Sequence, residues 1–500
     1  MPATVSLPIY MSISSLSPAP VWNHFATLCA IPRPSRHEAA VRAHLIAWAQ
    51  GRSLQTEVDA VGNLLIRKAA SPGLEHVAPL ALQGHLDMVC QANSGTVHDF
   101  HTMPITAEVV EGWLVAKNTT LGADNGLGVA LALAALEDET LQHGPLEVLL
   151  TVDEEDGMGG AHGLQGGWLR ATRMLNLDTE EWGEFYLGCA GGADVQVQAQ
   201  WPTQPIAAGQ ALWTLQVNGL RGGHSGCDIH LPRGNANRLL AQALQALQFA
   251  LGDGVQLVSL RGGTARNALP REARAVLALP ASALAHAQRV VEILAQQWRS
   301  TLVVAGGESQ IEVRWLPADV VGAQVLPAAA QRALVQALCM APYGVRAMSP
   351  HFKGVVETSN NLGVIDLQDG QFSANLMVRS LRDDQTAALA ETIATVFRSA
   401  GAAVAVDGHY PGWTPNPNSA LLAQCQAVYA HTFGETSRLQ VIHAGLECGL
   451  INAKYQGMDA VSFGPTIRGA HAPGERVEIA SVERCWTLLR ALITQLARVA

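Results

Sequence analysis

Five clusters of acids and histidines stand out in this chain, each at or near the edge of an apolar run: His85 with Asp87, Asp124, Glu154 with Glu155, Asp178, and His471. Together they offer three carboxylates and two imidazoles as ligands for a pair of divalent metals, with one Asp and one Glu left over for orienting and acid/base work. Metal-assisted hydrolysis needs that inventory.

Each cluster is ordinary when taken singly. His85 and Asp87 sit two apart near the end of the strand-like run VAPLALQGHLDMV, where residues i and i+2 share a face, and a metal-bound imidazole needs a carboxylate or carbonyl to orient it. A polar strand end meeting solvent reads the same way. Asp124 lies in a Gly/Asn-rich turn that runs into the wholly apolar Gly126 to Leu136; glycines there allow the close approach that would push a carboxylate into a cleft between two cations. An N-cap Asp explains it equally well. Glu154 and Glu155 end PLEVLLTVDEE, so that one can ligate while the other stands as a base, although four acids in a row also describe a solvated loop. Asp178 closes RMLNLDTEE, and His471 sits in a Gly/Pro-rich loop with a charged rim. The set H, D, E, D, H, each at a strand end or glycine-rich turn, is what chance does not supply.

The elements that must position these residues alternate. Helical periodicity is predicted from Val21 to Ile31, from Glu38 to Gln50 and from Gly126 to Leu136, between runs that read as buried strands. This is an α/β pattern, and in open α/β sheets ligands bind beyond the carboxyl ends of the strands. At CAGGADVQVQAQWP the pattern changes to alternating strands such as WTLQVNGL, with helical patterns over Asn235 to Leu251 and Ala281 to Gln297 and strands at ARAVLAL and QIEVRWL. After VAVDGHYPGWTPNP the helix and strand alternation resumes up to His471 and a final helix. Because His471 must join ligands that precede residue 190, one domain interrupted by a second is expected, with the first segment at 1–189, an α+β insertion at 190–408 and the second segment at 409–500.

At 500 residues, 48% hydrophobic and 15% charged, the chain can bury sizeable cores in two or more compact units. A formal charge of -10 without a basic tract argues against nucleic-acid and anionic-membrane partners. The eight cysteines are scattered without a CxxC pair, which fits a reducing, cytoplasmic location. The first 20 residues lack the basic start of a secretory signal, Met11 is a possible alternative start, and no apolar run reaches membrane-spanning length.

The motifs GHLDMV, LGADNGLG, TVDEEDGMGGA, LNLDTEE, GLRGGHSGCDIHLPRGNA, GGTARNALPREA and GPTIRGAHAPGE resemble those of the di-zinc metallopeptidase superfamily of aminoacylases and carboxypeptidases. More narrowly they resemble its aminoacyl-histidine (Xaa-His, or beta-alanyl-histidine) dipeptidases, over nearly the whole chain from about Val21. The resemblance implies an α/β catalytic domain with a mixed sheet flanked by helices, interrupted by a lid domain. It implies that His85 and Asp178 hold one metal, Glu155 and His471 the other, and Asp124 bridges them. Asp87 would orient His85, Glu154 would be the general base, and His224 on the lid would stabilise the scissile carbonyl as charge develops. Arg379 is implied as the partner of a substrate carboxylate, whose shape a guanidinium fork matches, and Asn267 as a further polar contact.

The cofactors so implied are two divalent ions, Zn2+ foremost with Co2+ or Mn2+ as alternatives; the partners are a small peptide and a second copy of the chain joined through the lid. A deacylase or aminotripeptidase would keep all five ligands and differ only in its specificity pocket. A non-catalytic binding protein on the same scaffold would have no use for Glu154. His230 is close enough in sequence to compete with His224. His443 and Glu447, four apart, could share a helical face lining the site, although Gly445 and Gly449 weaken that helix.

Overall fold

The computed structural model describes residues 13–498; Met11 and most of the first 20 residues discussed above lie outside them. The chain forms two compact units. One takes the residues up to Gly188, Pro415–Val441 and those from Glu447 onward; the other takes Cys189–Thr414 and Ile442–Leu446.

The first unit is built on a mixed sheet. The strands Leu146–Thr151, Leu80–His85, Arg173–Asn176 and Asp459–Ser462 run parallel side by side, with Leu64–Lys68 and Gln55–Val58 added antiparallel at one edge. Every residue of Leu80–His85 and Leu146–Thr151 is buried. A parallel strand is covered on both faces, which is why these runs carry apolar residues without strict alternation and why their polar residues, Gln83, His85, Glu147 and Thr151, are buried as well. The helix Ala123–Glu137 is buried on all sides from Asn125 to Leu136, as an all-apolar helix must be. A smaller antiparallel sheet joins Ala107–Val110, Trp113–Ala116, Ile467–Arg468 and Arg476–Glu478, and the loop carrying His471 connects the last two.

The second unit is an antiparallel sheet with helices. Its strands include Gly191–Gln200, Gln210–Asn218, Gln256–Gly262, Ala273–Pro280, Glu312–Pro317, Val356–Gln368, Gln371–Ser380 and Ala403–Tyr410. Apolar side chains of these strands share one core with the helices Ala236–Leu251, Leu284–Trp298, Ala328–Met340 and Asp383–Ser399. The helices there are amphipathic, which is how a helix packs on one side only. Asn235 caps the first, its side chain accepting from Arg238 N. Among the described residues no helix is long and apolar enough to cross a membrane.

Candidate metal centre

His85, Asp124, Glu154, Glu155, Asp178 and His471 come together at one end of the parallel strands of the first unit. His85 is the last residue of its strand; Glu154, Glu155 and Asp178 follow theirs within a few residues. Asp124 is placed differently from an ordinary cap. Gly122 is the N-cap, and Asp124 and Asn125 have non-helical backbone angles inside the helix start, joined by a cis peptide bond. Because Gly122 holds the cap position, the Asp124 carboxylate faces two imidazoles instead of the helix N–H groups. Gly122 adopts φ 68° and a Cβ there would lie 2.5 Å from Arg33 Nη2, so only glycine suits this position.

The donor atoms form a chain. Asp178 Oδ1 lies 3.4 Å from His85 Nε2, which is 3.2 Å from Asp124 Oδ1. The other Asp124 oxygen, Oδ2, is 3.3 Å from His471 Nε2, itself 3.1 Å from Glu155 Oε2. One carboxylate thus faces two imidazoles with opposite oxygens, and each imidazole has a second carboxylate of its own. Single donor atoms of His85, Asp124 and Glu155 all fall within 4.8 Å of one another, and Glu155 Oε1 is buried without a hydrogen-bond partner. This donor set, hard oxygen and borderline nitrogen around a shared carboxylate, fits two divalent cations.

Electrostatics agree with that fit. Burial works against charge on the His85 ring, yet Asp178, Asp124 and Asp87 hold its pKa well above the usual histidine range. Hydrogen bonding to Asp124 and Glu155 raises His471 to about 11. Asp124 is buried but is held below the usual carboxylate range by His471 and His85. Burial, opposed by His85 and reinforced by Asp124, lifts Asp178 to about 6. The cluster therefore holds protons tightly, as closely packed carboxylates and imidazoles do when no other cation is present.

Glu154 differs from the other acids. Its carboxyl has no hydrogen-bond partner among the described residues, and burial holds its pKa well above the usual range, with Asp178, Glu155 and Glu447 adding to the effect against His85. Asp87 does more than face His85, whose Nδ1 is 3.3 Å from Asp87 Oδ1. Its Oδ1 accepts from Glu154 N and its Oδ2 from Glu155 N, both at 3.0 Å, and Ser35 Oγ donates to Oδ2 at 2.7 Å. One buried carboxylate thereby fixes the turn bearing both glutamates.

Several supporting residues are absent from the sequence reading. Glu38 accepts from Asp153 N at 2.8 Å. Arg33, buried, donates to the carbonyls of Leu86, Asp87 and Gly122. Glu447 does not share a helix with His443: it opens the helix Glu447–Lys454 in the first unit, while His443 belongs to the second. Its Oε2 meets Gln83 Nε2 at 2.7 Å and Thr151 Oγ1 at 2.6 Å, and burial pushes its pKa up to about 8. Gln83 lies two residues before His85 on the same strand face, so this network underpins the strand that ends in His85. The nearest signal was the acid itself in an apolar run, which gives no partner.

The remaining candidates lie in the second unit. His224 Nδ1 accepts from Gly226 N at 3.3 Å and Cys227 N at 3.1 Å, which places the ring proton on Nε2. Burial, with Arg379 nearby, lowers its pKa to about 4, so the ring is a neutral donor. His230 is exposed. Arg379 is 4% exposed and donates to Tyr410 Oη at 2.8 Å, while its Nε has no partner; a buried cation so placed calls for an anion. Asn267 is exposed, and its carbonyl accepts from Ser225 N beside His224. His443 is buried with Nε2 2.7 Å from Ser359 Oγ.

Residues 81–495 match the model of peptidase family M20/M25/M40. The cytosol non-specific dipeptidase of Escherichia coli (strain K12) is 43% identical over 485 residues, 97% of this chain and 99% of that protein. The crystal structure of an aminoacylhistidine dipeptidase from Vibrio alginolyticus superposes with a TM-score of 0.88 at 41% identity, covering 97% of this chain and 98% of that one. A tripeptidase from Staphylococcus aureus shares the fold at a TM-score of 0.56 and 16% identity, covering 97% and 99% of the two chains. With its ligand-like cluster at the strand ends and a family match over most of its length, this chain belongs to peptidase family M20/M25/M40.

Proposed function

We propose that this chain is a metal-dependent dipeptidase that hydrolyses the peptide bond of short substrates, Xaa-His dipeptides among them. The observation that carries this reading is the Asp124 carboxylate facing His85 with one oxygen and His471 with the other, in a chain 43% identical to a dipeptidase along nearly its full length. His85 and Asp178 would hold one cation, Glu155 and His471 the second, with Asp124 shared, and Zn2+ is the ion that best suits the set. When bound, such ions supply Lewis acidity to the substrate carbonyl and acidify water to a pKa of about 7.

The chain's own groups do the rest. Glu154, whose carboxyl has no hydrogen-bond partner among the described residues and whose proton affinity is raised by burial, takes a proton from the attacking water and returns it to the leaving amine. Asp87 holds the Glu154 backbone and His85 in place. His224 donates Nε2–H to the oxygen that becomes negative in the tetrahedral intermediate. Arg379 pairs with the substrate's terminal carboxylate, which favours short peptides, and Asn267 adds a polar contact. The reading includes a cytosolic location, a homodimer joined through the second unit, and the lid role of that unit.

Rates on a panel of dipeptides, tripeptides and N-acyl amino acids test it. Dipeptides should be cleaved fastest. Preference for tripeptides or for acylated amino acids would replace the proposal with an aminotripeptidase or a deacylase, and no turnover of any would leave a binding protein.

A further inference from the structure

Glu475 lies four residues beyond His471, in the loop that leads into Arg476–Glu478, and is 2% exposed. Its carboxylate accepts four consecutive backbone N–H groups. Oε2 takes those of Leu121 at 2.6 Å and Gly122 at 2.9 Å; Oε1 takes those of Ala123 at 2.8 Å and Asp124 at 3.3 Å. Those of Gly122, Ala123 and Asp124 are among the N–H groups that a helix start leaves unpaired, and that of Leu121 lies just before the cap. On the same turn the buried Arg33 donates to Gly122 O at 2.5 Å. The Gly122 residue is therefore gripped at its N–H by a buried anion and at its carbonyl by a buried cation.

The loop also touches this segment along its backbone, through Gly474 N to Thr119 O at 3.0 Å and Ala116 N to Glu475 O at 2.9 Å. One short loop thus holds Asp124 at both ends: His471 faces its carboxylate and Glu475 its main chain. We propose that Glu475 is a positioning residue that couples the Asp124 turn to the His471 loop, so that the two cation positions are set together. Because Asp124 is shared, a shift of its turn displaces a donor from both positions at once. The inference rests on the metal assignment proposed above.

The test is Glu475→Gln in the full-length protein. An amide of the same size turns its NH2 toward two of the four N–H donors in either orientation, so the turn must move while the fold keeps its packing. Chelator-stripped wild-type and variant proteins are titrated with Zn2+ against a competing chromophoric chelator, with bound metal counted by elemental analysis. Glu147→Gln is the control: Glu147, also 2% exposed, accepts backbone N–H groups from Arg170 and Ala171, but at the far end of the strand Leu146–Thr151. Both variants should lose thermal stability, and only Glu475→Gln should bind Zn2+ more weakly, by roughly 10- to 100-fold, with occupancy of both positions reduced. Zn2+ affinity and count in Glu475→Gln equal to wild type would overturn the proposal. If that variant does not fold, Glu475→Asp, which keeps the charge but withdraws it by one methylene, takes its place under the same criterion. A wild-type protein that binds no Zn2+ would instead sink the metal assignment itself, and the coupling with it.

Discussion

Asp87 Oδ1 accepts the backbone N–H of Glu154 at 3.0 Å, which joins the strand end carrying His85 to the turn carrying Glu154 and Glu155. Asp87→Ala removes the acceptor for both turn N–H groups and the neighbour of His85 Nδ1 together. Metal affinity and kcat should each fall roughly 10- to 100-fold, measured by Zn2+ competition and by dipeptide hydrolysis. Unchanged metal affinity would confine Asp87 to the glutamate turn.

Glu154→Gln and Asp124→Ala separate the proposed base from the proposed shared ligand. The first removes a proton acceptor but no donor atom of the chain of contacts, so turnover should vanish while both metals stay. The second should lower the occupancy of both positions. Loss of metal from Glu154→Gln would exchange its role with that of Glu155, and loss of only one ion from Asp124→Ala would contradict sharing.

His224→Ala should lower kcat about a hundredfold to a thousandfold without removing metal, the loss expected for one oxyanion donor. Its ring should show 15N shifts of the Nε2–H tautomer at neutral pH, since its pKa is drawn down to about 4. Co-expression of Glu154→Gln with His224→Ala asks whether the histidine serves a second copy of the chain. Recovered activity in verified mixed dimers would show action in trans; none would place His224 in its own chain's site or, if the single variant stays active, outside the reaction.

His443 gives the pH dependence a sign. Burial and the neighbouring Arg379 lower its pKa from 6.5 to about 3, so between those values the unfolded chain binds the proton and the folded chain does not. Stability is full above pH 6.5 and falls as the pH drops toward 3. His443→Gln should flatten the slope of Tm against pH between 6.5 and 4, and an unaltered slope would count against the buried neutral ring.

Much of the first unit was legible because its chemistry and its burial coincide. Leu80–His85 and Leu146–Thr151 are mostly apolar, and the polar residues at and just beyond their ends are the ones a strand end exposes to a cleft. The helix after Asp124 was equally plain, yet the status of Asp124 was not: an Asp before an apolar helix reads as a cap, and only the backbone angles show that Gly122 holds that place. Glu475 could not be read at all, since its partners lie some 350 residues earlier and nothing in GAHAPGE announces a four-fold N–H acceptor. Spacing misled for His443 and Glu447, which sit four apart but on different units. It was silent on Arg33, whose three carbonyl partners come from two separate loops.

Under the proposed metal assignment, hydrolysis depends on two cations held by the Asp124 cluster. Metal content and cleavage of an Xaa-His dipeptide, measured on the purified protein before and after exhaustive chelation and again after Zn2+ is returned, test it directly. Two divalent ions per chain, loss of activity with their removal and recovery with Zn2+ are expected. Undiminished hydrolysis by protein shown to be free of metal would contradict it.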